Sequence, residues 1–156
     1  MDHPNVQLVR RFYDLVENHK DSSAASKLWI HDLKWHGCKN SPFFPDYFEG
    51  IENLEKALDV YFQAVDPRAE VVQTVRVGDD RVAARLHVTA KHTGELLGCG
   101  PTGRDAVFTA AATFIIRDGK IVEEWIHADF LGMALQFGFE LRLPDGSPLE
   151  PIGKSG

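Results

Sequence analysis

The hydrophobic pattern of this chain changes period once, at Ala69, and that change limits the fold classes that are possible. Before Ala69, apolar residues recur three and four positions apart, which predicts helices over residues 4–18, 21–29 and 51–65. After Ala69, apolar and polar residues alternate, which predicts strands over residues 69–77, 81–92, 105–117 and 120–130. Helices followed by a run of strands predict an α+β fold, with the helices packed on one face of a sheet.

Two turn sequences make the predicted sheet mainly antiparallel. Gly-Asp-Asp at 78–80 and Asp-Gly at 118–119 each join two neighbouring strands as a hairpin. A further short strand is predicted over 33–37.

A strongly bent sheet that closes over a long helix makes a cone with an apolar pocket open at one end. We therefore expect one cone-shaped domain over residues 1–138 and a partly ordered C-terminal tail over 139–156.

Residues 40–48 form a segment that we call the aromatic flap. This segment contains two prolines and four aromatic residues. The prolines break any helix, and the aromatic content is too high for a loop that is free in water. We expect the flap to pack against the pocket and to exclude water from it.

Charge and cysteine content argue against several function classes. The 156 residues carry a net charge of −6 without a basic run, which argues against binding to nucleic acid or to an anionic membrane surface. Cys38 and Cys99 lie far apart and lack a metal-ligand spacing. The N-terminus has no basic-then-apolar signal pattern. We expect a reduced, cytoplasmic protein whose partner is a small molecule.

The last predicted strand carries the strongest candidate site. Trp125, His127 and Asp129 alternate along it, so their side chains share one face, while the opposite face is apolar except for Glu124. If the first face lines the pocket, desolvation makes Asp129 a stronger base toward a carbon acid. His127 then donates a hydrogen bond to a carbonyl oxygen or holds the carboxylate in place. In the alternative interpretation, this face is exposed and its polar residues lie in water.

Aromatic residues supply the predicted substrate-binding surface. His36 adjoins the flap and is a second candidate donor if its strand end reaches the mouth of the pocket. A flat, apolar substrate would pack against aromatic rings. The candidates for this role are Trp35, Trp125, Phe44, Tyr47, Phe48 and Tyr13.

Metal and nucleotide motifs are incomplete in this sequence. His127-Ala128-Asp129 matches the first half of the facial triad of non-haem iron oxygenases, but no histidine follows His127 to complete it. The glycine-rich stretch at 98–104 lacks the Lys-Ser/Thr pair of a P-loop. We therefore expect neither a metal nor a cofactor.

Five short blocks follow one another in the second half of the chain. They read GDDRVA, HTGELLG, PTGR, RDGKIVEEW and DFLGMALQFG, and begin at residues 78, 92, 101, 117 and 129. Their order and spacing resemble those of the SnoaL-like polyketide cyclase family. Gly50-Ile51 before the third helix also fits, so the resemblance covers most of residues 5–138.

The resemblance implies a cone-shaped fold of the nuclear transport factor 2-like superfamily, which often dimerises through the outer face of the sheet. We accordingly expect a homodimer. In the polyketide cyclases, the aspartate after the tryptophan of the last strand is the acid/base for an intramolecular aldol ring closure without metal or cofactor. Asp129 stands at that position. The implied function is a biosynthetic lyase or isomerase that cyclises or isomerises a polyketide-like or polycyclic carbonyl compound.

Two other functions stay open from the sequence. Epoxide hydrolases of the superfamily use an Asp-Arg-Asp set, and here Arg85 is the only arginine in the middle of a predicted strand. An epoxide hydrolase or dehydratase would use Asp129 to activate water in the same pocket. A non-catalytic small-ligand-binding protein is the third possibility, because the strand at 105–117 offers few polar side chains to a substrate.

Overall fold

Three helical segments come first in the computed structural model, which describes residues 1–149. Helix α1 (Pro4–Phe12) continues without a break into a π-helix (Tyr13–Asn18), and a 3-10 helix (Ser22–Lys27) follows. Helix α2 (Ile51–Val65) comes later and is the longest. It starts after Gly50, whose φ of 91° is a backbone conformation that favours glycine.

Six strands form one sheet around these helices. Their bounds are β1 (Trp29–His36), β2 (Tyr47–Glu49), β3 (Arg68–Val77), β4 (Arg81–Lys91), β5 (Asp105–Arg117) and β6 (Lys120–Ala128). The spatial order is β2-β1-β6-β5-β4-β3. The β1–β6 pair is parallel and the other four pairs are antiparallel. The α+β class, with a mainly antiparallel sheet, is confirmed.

The core lies between α2 and the concave face of the sheet. Alternate residues of β4 and β5 are buried on this face, as expected for a sheet with one solvated side. Leu54, Leu58, Tyr61 and Val65 recur four, three and four positions apart on α2 and form its buried stripe. The sheet therefore curls over α2, and the two together make the cone expected from the sequence.

Several predicted element bounds were wrong where local capping or pairing outweighs the hydrophobic period. β1 begins at Trp29, earlier than the strand predicted over 33–37, and the end of the flap pairs with it as β2. β6 ends at Ala128 instead of residue 130, because Asp129 caps a helix. That helix, α3 (Phe130–Gln136), was not predicted.

The described part of the C-terminal tail forms a small hairpin. Strands β7 (Leu141–Arg142) and β8 (Pro148–Leu149) pair only with each other among the described residues. Residues 150–156 of the predicted tail lie outside the described residues, and the division of the chain at residue 138 stays a prediction. No helix within residues 1–149 is long and apolar enough to cross a membrane.

Candidate active site in the internal cavity

A small cavity lies inside the cone, between α2 and the concave face of the sheet. Most of its wall is apolar, and the polar side chains in it are Glu17, Tyr61, Glu124 and the indole of Trp35. The cavity volume is about 40 Å³. A buried water needs roughly 10–15 Å³ on the same measure, so this space holds only a few waters. A larger ligand therefore has to displace part of the wall.

Glu124 is the most deeply buried carboxyl group of the cavity. Its residue is 2% exposed, and its neighbours in the sheet are Trp35 on β1 and Phe114 on β5. The indole Nε1–H of Trp35 donates a hydrogen bond of 3.0 Å to Glu124 Oε2. Burial raises the pKa of Glu124 to about 8, and the charge of Glu17 acts in the same direction. The hydrogen bond from Trp35 favours the ionised form and lowers this pKa.

Glu17 is the second carboxyl group in the cavity wall. It lies in the π-helix, where the Asp21 N–H donates to the Val16 carbonyl five residues back, at 3.0 Å. Burial raises the pKa of Glu17 to about 7, while the nearby Lys20 ammonium lowers it. Two carboxyl groups with pKa values in the neutral range thus line one apolar cavity.

Two buried tyrosines adjoin these carboxyl groups. Burial raises the pKa of Tyr13 and Tyr61 well above the ordinary value, and the charge of Glu17 contributes to both shifts. Both hydroxyls therefore stay protonated and are available as hydrogen-bond donors. Tyr61 is in the cavity wall. The Tyr13 hydroxyl is buried and has no hydrogen-bond partner among the described residues.

The face of β6 that lines the cavity is the apolar one. Glu124, Ile126 and Ala128 lie in the wall, whereas Trp125 and His127 lie on the outer face of the sheet. The hypothesis that Trp125, His127 and Asp129 face the interior was therefore wrong, and the alternative of a solvated face is the one observed for His127 and Asp129. The physical reason is that core and cavity share the concave side of a single sheet, so the apolar face of β6 contacts both.

Asp129 is exposed and serves as the N-cap of α3. Its Oδ1 accepts a hydrogen bond of 2.8 Å from the Gly132 N–H. The two residues beside it, Ala128 and Phe130, line the cavity, but Asp129 does not. The position implied by the resemblance thus lies next to the cavity with its carboxylate engaged in a cap. Its catalytic role stays a prediction.

His36 also lies outside the cavity. Its ring stacks on Trp125 with centroids 4.6 Å apart, and its Nε2 lies 3.3 Å from Glu123 Oε1. The Tyr47 ring packs against His36 with ring centroids 5.0 Å apart. These residues and His127 form no part of the cavity wall, so their predicted contacts with a substrate have no support in this geometry. Arg85, the arginine considered for a hydrolase, is likewise exposed.

Two of the predicted aromatic residues line the cavity. Trp35 and Phe44 are in the wall, with ring centroids 4.7 Å apart and an edge-to-face geometry. Phe48 lies behind Trp35 and stacks on it at 4.8 Å. Tyr13 is buried in the core against Phe114. The flap therefore contributes Phe44 to the enclosure, as its aromatic content predicted.

Sequence reasoning missed Glu17 and Glu124 as site residues, although both left a signal. Glu124 is the one charged residue on the apolar face of the last strand. Glu17 lies four positions after Tyr13, on the side of the helix that carries buried residues. A carboxyl group on a core-facing side is costly unless it stays protonated or functions, so each exception to the apolar pattern marked a candidate.

A family model for SnoaL-like polyketide cyclases matches residues 7–137, which is most of the chain. The chain belongs to the SnoaL-like polyketide cyclase family. The match spans the helices, the whole six-stranded sheet and α3. It includes Glu17 and Glu124 as well as Asp129. Among curated protein sequences, none matches this SnoaL-like chain.

Several solved structures share the fold of this chain. A protein from Jannaschia sp. CCS1, assigned as a SnoaL-like polyketide cyclase, is 21% identical with a TM-score of 0.75 over 89% of this chain and 99% of that chain. Wild-type IdmH from Streptomyces antibioticus, assigned as a polyketide cyclase, is 26% identical with a TM-score of 0.74, and the match covers 88% of this chain and 100% of that chain. AclR from Streptomyces galilaeus, assigned as a hydroxylase, is 26% identical with a TM-score of 0.67, and the match covers 86% of this chain and 92% of that chain. The fold thus accompanies more than one assigned chemistry.

Proposed function

We propose that this SnoaL-like chain is a cofactor-free acid/base enzyme that moves protons on a small, apolar carbonyl compound of the polyketide type. The observation that carries the proposal is the pair of buried carboxyl groups, Glu17 and Glu124, in the otherwise apolar cavity wall. Burying two carboxyl groups weakens a fold, and apolar side chains would fill the same space at no such cost. Groups with pKa values shifted into the neutral range inside a cavity are typical of acid/base sites.

The two carboxyl groups take different roles because their surroundings differ. The Lys20 ammonium lies near Glu17 and favours its ionised form, so Glu17 acts as the base. Glu124 is the more deeply buried of the two, 2% exposed against 8%, and burial favours its protonated form, so it acts as the acid. Two titratable groups held at different pKa values are the common basis for such a division of roles.

A reaction on a carbonyl compound then proceeds in balanced steps. The Glu17 carboxylate removes a proton from the carbon next to the carbonyl, and Glu124 gives its proton to the carbonyl oxygen, which forms an enol. In an isomerisation, Glu17 returns the proton to another carbon and Glu124 takes back the hydroxyl proton. In a cyclisation, the enol carbon attacks a second carbonyl of the same molecule. Glu124 takes back the hydroxyl proton as the first carbonyl re-forms, and Glu17 gives its proton to the new alkoxide. The Tyr61 hydroxyl is a further donor for the developing charge.

The resemblance assigns the acid/base role to Asp129 instead, and that assignment competes with ours. In its favour, Ala128 and Phe130 on either side line the cavity, so a local change at the start of α3 would bring the carboxylate to the rim. Against it, the carboxylate is exposed and caps α3. A solvated carboxylate lacks the desolvation that strengthens a base.

The test is exchange of the protons next to a carbonyl in D₂O, followed by proton NMR. The probes are a bicyclic ketone and a linear poly-β-ketone, each with the wild-type protein and with Glu17→Gln, Glu124→Gln, Asp129→Asn and the surface control Glu70→Gln. We expect the wild type and Glu70→Gln to accelerate exchange, and both cavity variants to lose about 10²-fold or more. We expect Asp129→Asn to stay within a few-fold of the wild type.

The alternatives give different results in the same experiment. If Asp129→Asn loses activity while Glu124→Gln keeps it, the base is Asp129. If no probe exchanges faster than in buffer but a probe binds, the chain is a ligand-binding protein and the enzymatic proposal is wrong. A hydrolase would use Glu17 to activate a water that adds to the substrate. A dehydratase would use Glu17 to remove a proton from carbon and Glu124 to protonate the hydroxyl that leaves as water.

We also infer that the chain forms a homodimer through the outer face of its sheet. One row across this face runs through Val75, Ala83, Thr113 and Trp125, which pair in register on β3, β4, β5 and β6. Val75 is 50% exposed and Ala83 is small and apolar, so the row offers a largely apolar surface. We expect the mass of a dimer by light scattering, and a monomer for Thr113→Arg. A monomeric wild type would contradict the inference.

A further inference from the structure

Trp35 contacts the buried acid of the site and contributes to the cavity wall. Its Nε1–H donates to Glu124 Oε2 at 3.0 Å, and both partners are buried. A carboxylic acid carries its proton on one oxygen only. The carbonyl oxygen of a neutral carboxylic acid is its better acceptor, so we expect Oε2, which accepts the hydrogen bond from Trp35, to be the carbonyl oxygen and the proton of neutral Glu124 to lie on Oε1.

The Trp35 ring is held by contacts that leave it little freedom to move. Phe48 stacks on it with an interplanar angle of 17°, and Phe44 meets it edge to face. Gly37 lies so close that a Cβ on that residue would overlap the ring. Side chains fixed by packing on several sides keep the geometry of the groups that they hydrogen-bond.

The buried Trp29 provides a contrast within the same chain. Trp29 is 2% exposed, but its Nε1 has no hydrogen-bond partner among the described residues. Its ring packs edge to face on Phe12 and Phe114 in the core. A buried tryptophan in this fold therefore does not need a carboxylate partner, so packing alone does not account for the bond between Trp35 and Glu124.

We propose that Trp35 is a positioning residue that fixes the Glu124 carboxyl so that Oε1 presents the catalytic proton to the substrate. The indole N–H also favours the ionised form of Glu124. It thereby makes this buried acid a better proton donor than burial alone would allow. This proposal rests on the proposed function of Glu124 as the acid, but its physical basis can be tested without a substrate.

The first test uses the indole N–H signals of the folded protein in ¹⁵N NMR. The chain has three tryptophans, so three such signals are expected, and they can be assigned with single Trp→Phe variants. We expect the Trp35 signal to move downfield as Glu124 ionises, with an apparent pKa of about 8. The Trp29 signal should stay constant over the same range. In Glu124→Gln, the titration of Trp35 should disappear.

The second test measures the consequence for the acid. Trp35→Phe removes the N–H donor and keeps an aromatic ring, and Trp29→Phe is the matched control for loss of a buried indole. We expect the pKa of Glu124, measured at its side-chain carbon by ¹³C NMR, to rise in Trp35→Phe and to stay unchanged in Trp29→Phe. The basic limb of the exchange-rate profile should move to higher pH by the same amount.

The outcomes separate this proposal from the proposed function. A Trp35 signal that does not titrate, or a Glu124 pKa that is unchanged or lowered in Trp35→Phe, overturns the positioning role. If the NMR results hold and no probe undergoes exchange, the proposed function fails, and with it the catalytic part of this role. If Trp35→Phe does not fold, the indole titration with Glu124→Gln still decides whether the two side chains interact as proposed.

Discussion

At the residue scale, two adjacent glutamates show how position alone sets chemistry. Glu123 points to the outer face of β6, where its Oε1 lies 3.3 Å from His36 Nε2. Glu124 points into the cavity and is 2% exposed. The same side chain is therefore a hydrogen-bond partner of a histidine on one side of the strand and a buried acid on the other. A shift of one residue in the strand register would exchange the two roles.

The sequence marks the site residues as unusual, but it does not show whether their side chains point into the cavity. Glu124 was visible as an exception on an apolar face, yet the period of two does not say which face encloses the cavity. The pairing between β5 and β6 is also irregular. Ile116 pairs with Ile121 and Ile115 pairs with Glu123, so Val122 is an extra residue on β6. Such a bulge changes which residues face inward, and it depends on the partner strand rather than on local sequence.

Our prediction for Asp129 separates capping from catalysis. Asn is as good an N-cap as Asp, so the free energy of unfolding of Asp129→Asn should be nearly that of the wild type. Asp129→Ala removes the acceptor of the Gly132 N–H and should cost about 1 kcal/mol. Urea denaturation of both variants measures this difference. Equal stability of the Ala and Asn variants would show that the cap contributes nothing.

At the scale of elements, the π-helix accounts for the position of the second carboxyl group. Tyr13 and Glu17 stand four positions apart at the end of the first helical segment, and both are buried. Wide helical turns of this kind are rare and frequently occur at functional sites. The helix itself was predictable from its apolar spacing, but the change of pitch was not, because it depends on packing of the turn against the core.

The connection between β4 and β5 offers a test of a buried histidine. His92 is fully buried, its Nδ1 lies 2.9 Å from Thr102 Oγ1, and its ring stacks on Phe137 at 5.1 Å. His92→Ala should lower the free energy of unfolding by about 2–4 kcal/mol through the space it leaves.

His87→Ala is the matched control for that change. His87 lies on β4 as an exposed residue, so its removal should stay within about 0.5 kcal/mol of the wild type. Thermal or urea denaturation compares the two variants directly. Equal losses of unfolding free energy in the two variants would mean that His92 does not anchor the start of this connection to Phe137 and α3.

At the scale of the whole molecule, the order of elements was the most predictable property. The change of period at Ala69 and the two hairpin turns were enough to predict a mainly antiparallel sheet after helices. The parallel β1–β6 pair was not predicted, since it joins strands about 90 residues apart through contacts that no local pattern records. That pair is also what brings Trp35 beside Glu124, so the site could not be assembled from the sequence.

The buried carboxyl groups give the stability of the whole molecule a pH dependence. Their pKa values rise on folding from 4.5 to about 7 and about 8, so the folded state binds protons that the unfolded state releases. Between about pH 5 and pH 8 the free energy of unfolding should therefore fall as pH rises, by up to about 1.4 kcal/mol per pH unit for each group. Urea denaturation from pH 5 to pH 9 measures this slope.

Neutral variants provide the comparison for that slope. Glu124→Gln removes one of the two groups and should unfold with a flatter pH dependence, whereas Glu70→Gln, at an exposed position, should follow the wild type. Above pH 8 we expect Glu124→Gln to be more stable than the wild type, since it buries no charge. A slope unchanged by Glu124→Gln would contradict the burial of this group as an acid.

The most direct test of the account is the titration of the Glu124 carboxyl group itself. The side-chain carbon of Glu124 can be followed by ¹³C NMR in protein labelled at glutamate, with Glu124→Gln to assign the signal. We predict a pKa of about 8, because the group is buried in an apolar cavity wall and lies near a second carboxyl group. A pKa near the ordinary value of about 4.3 would mean that Glu124 is solvated, and the acid/base site proposed here would not exist.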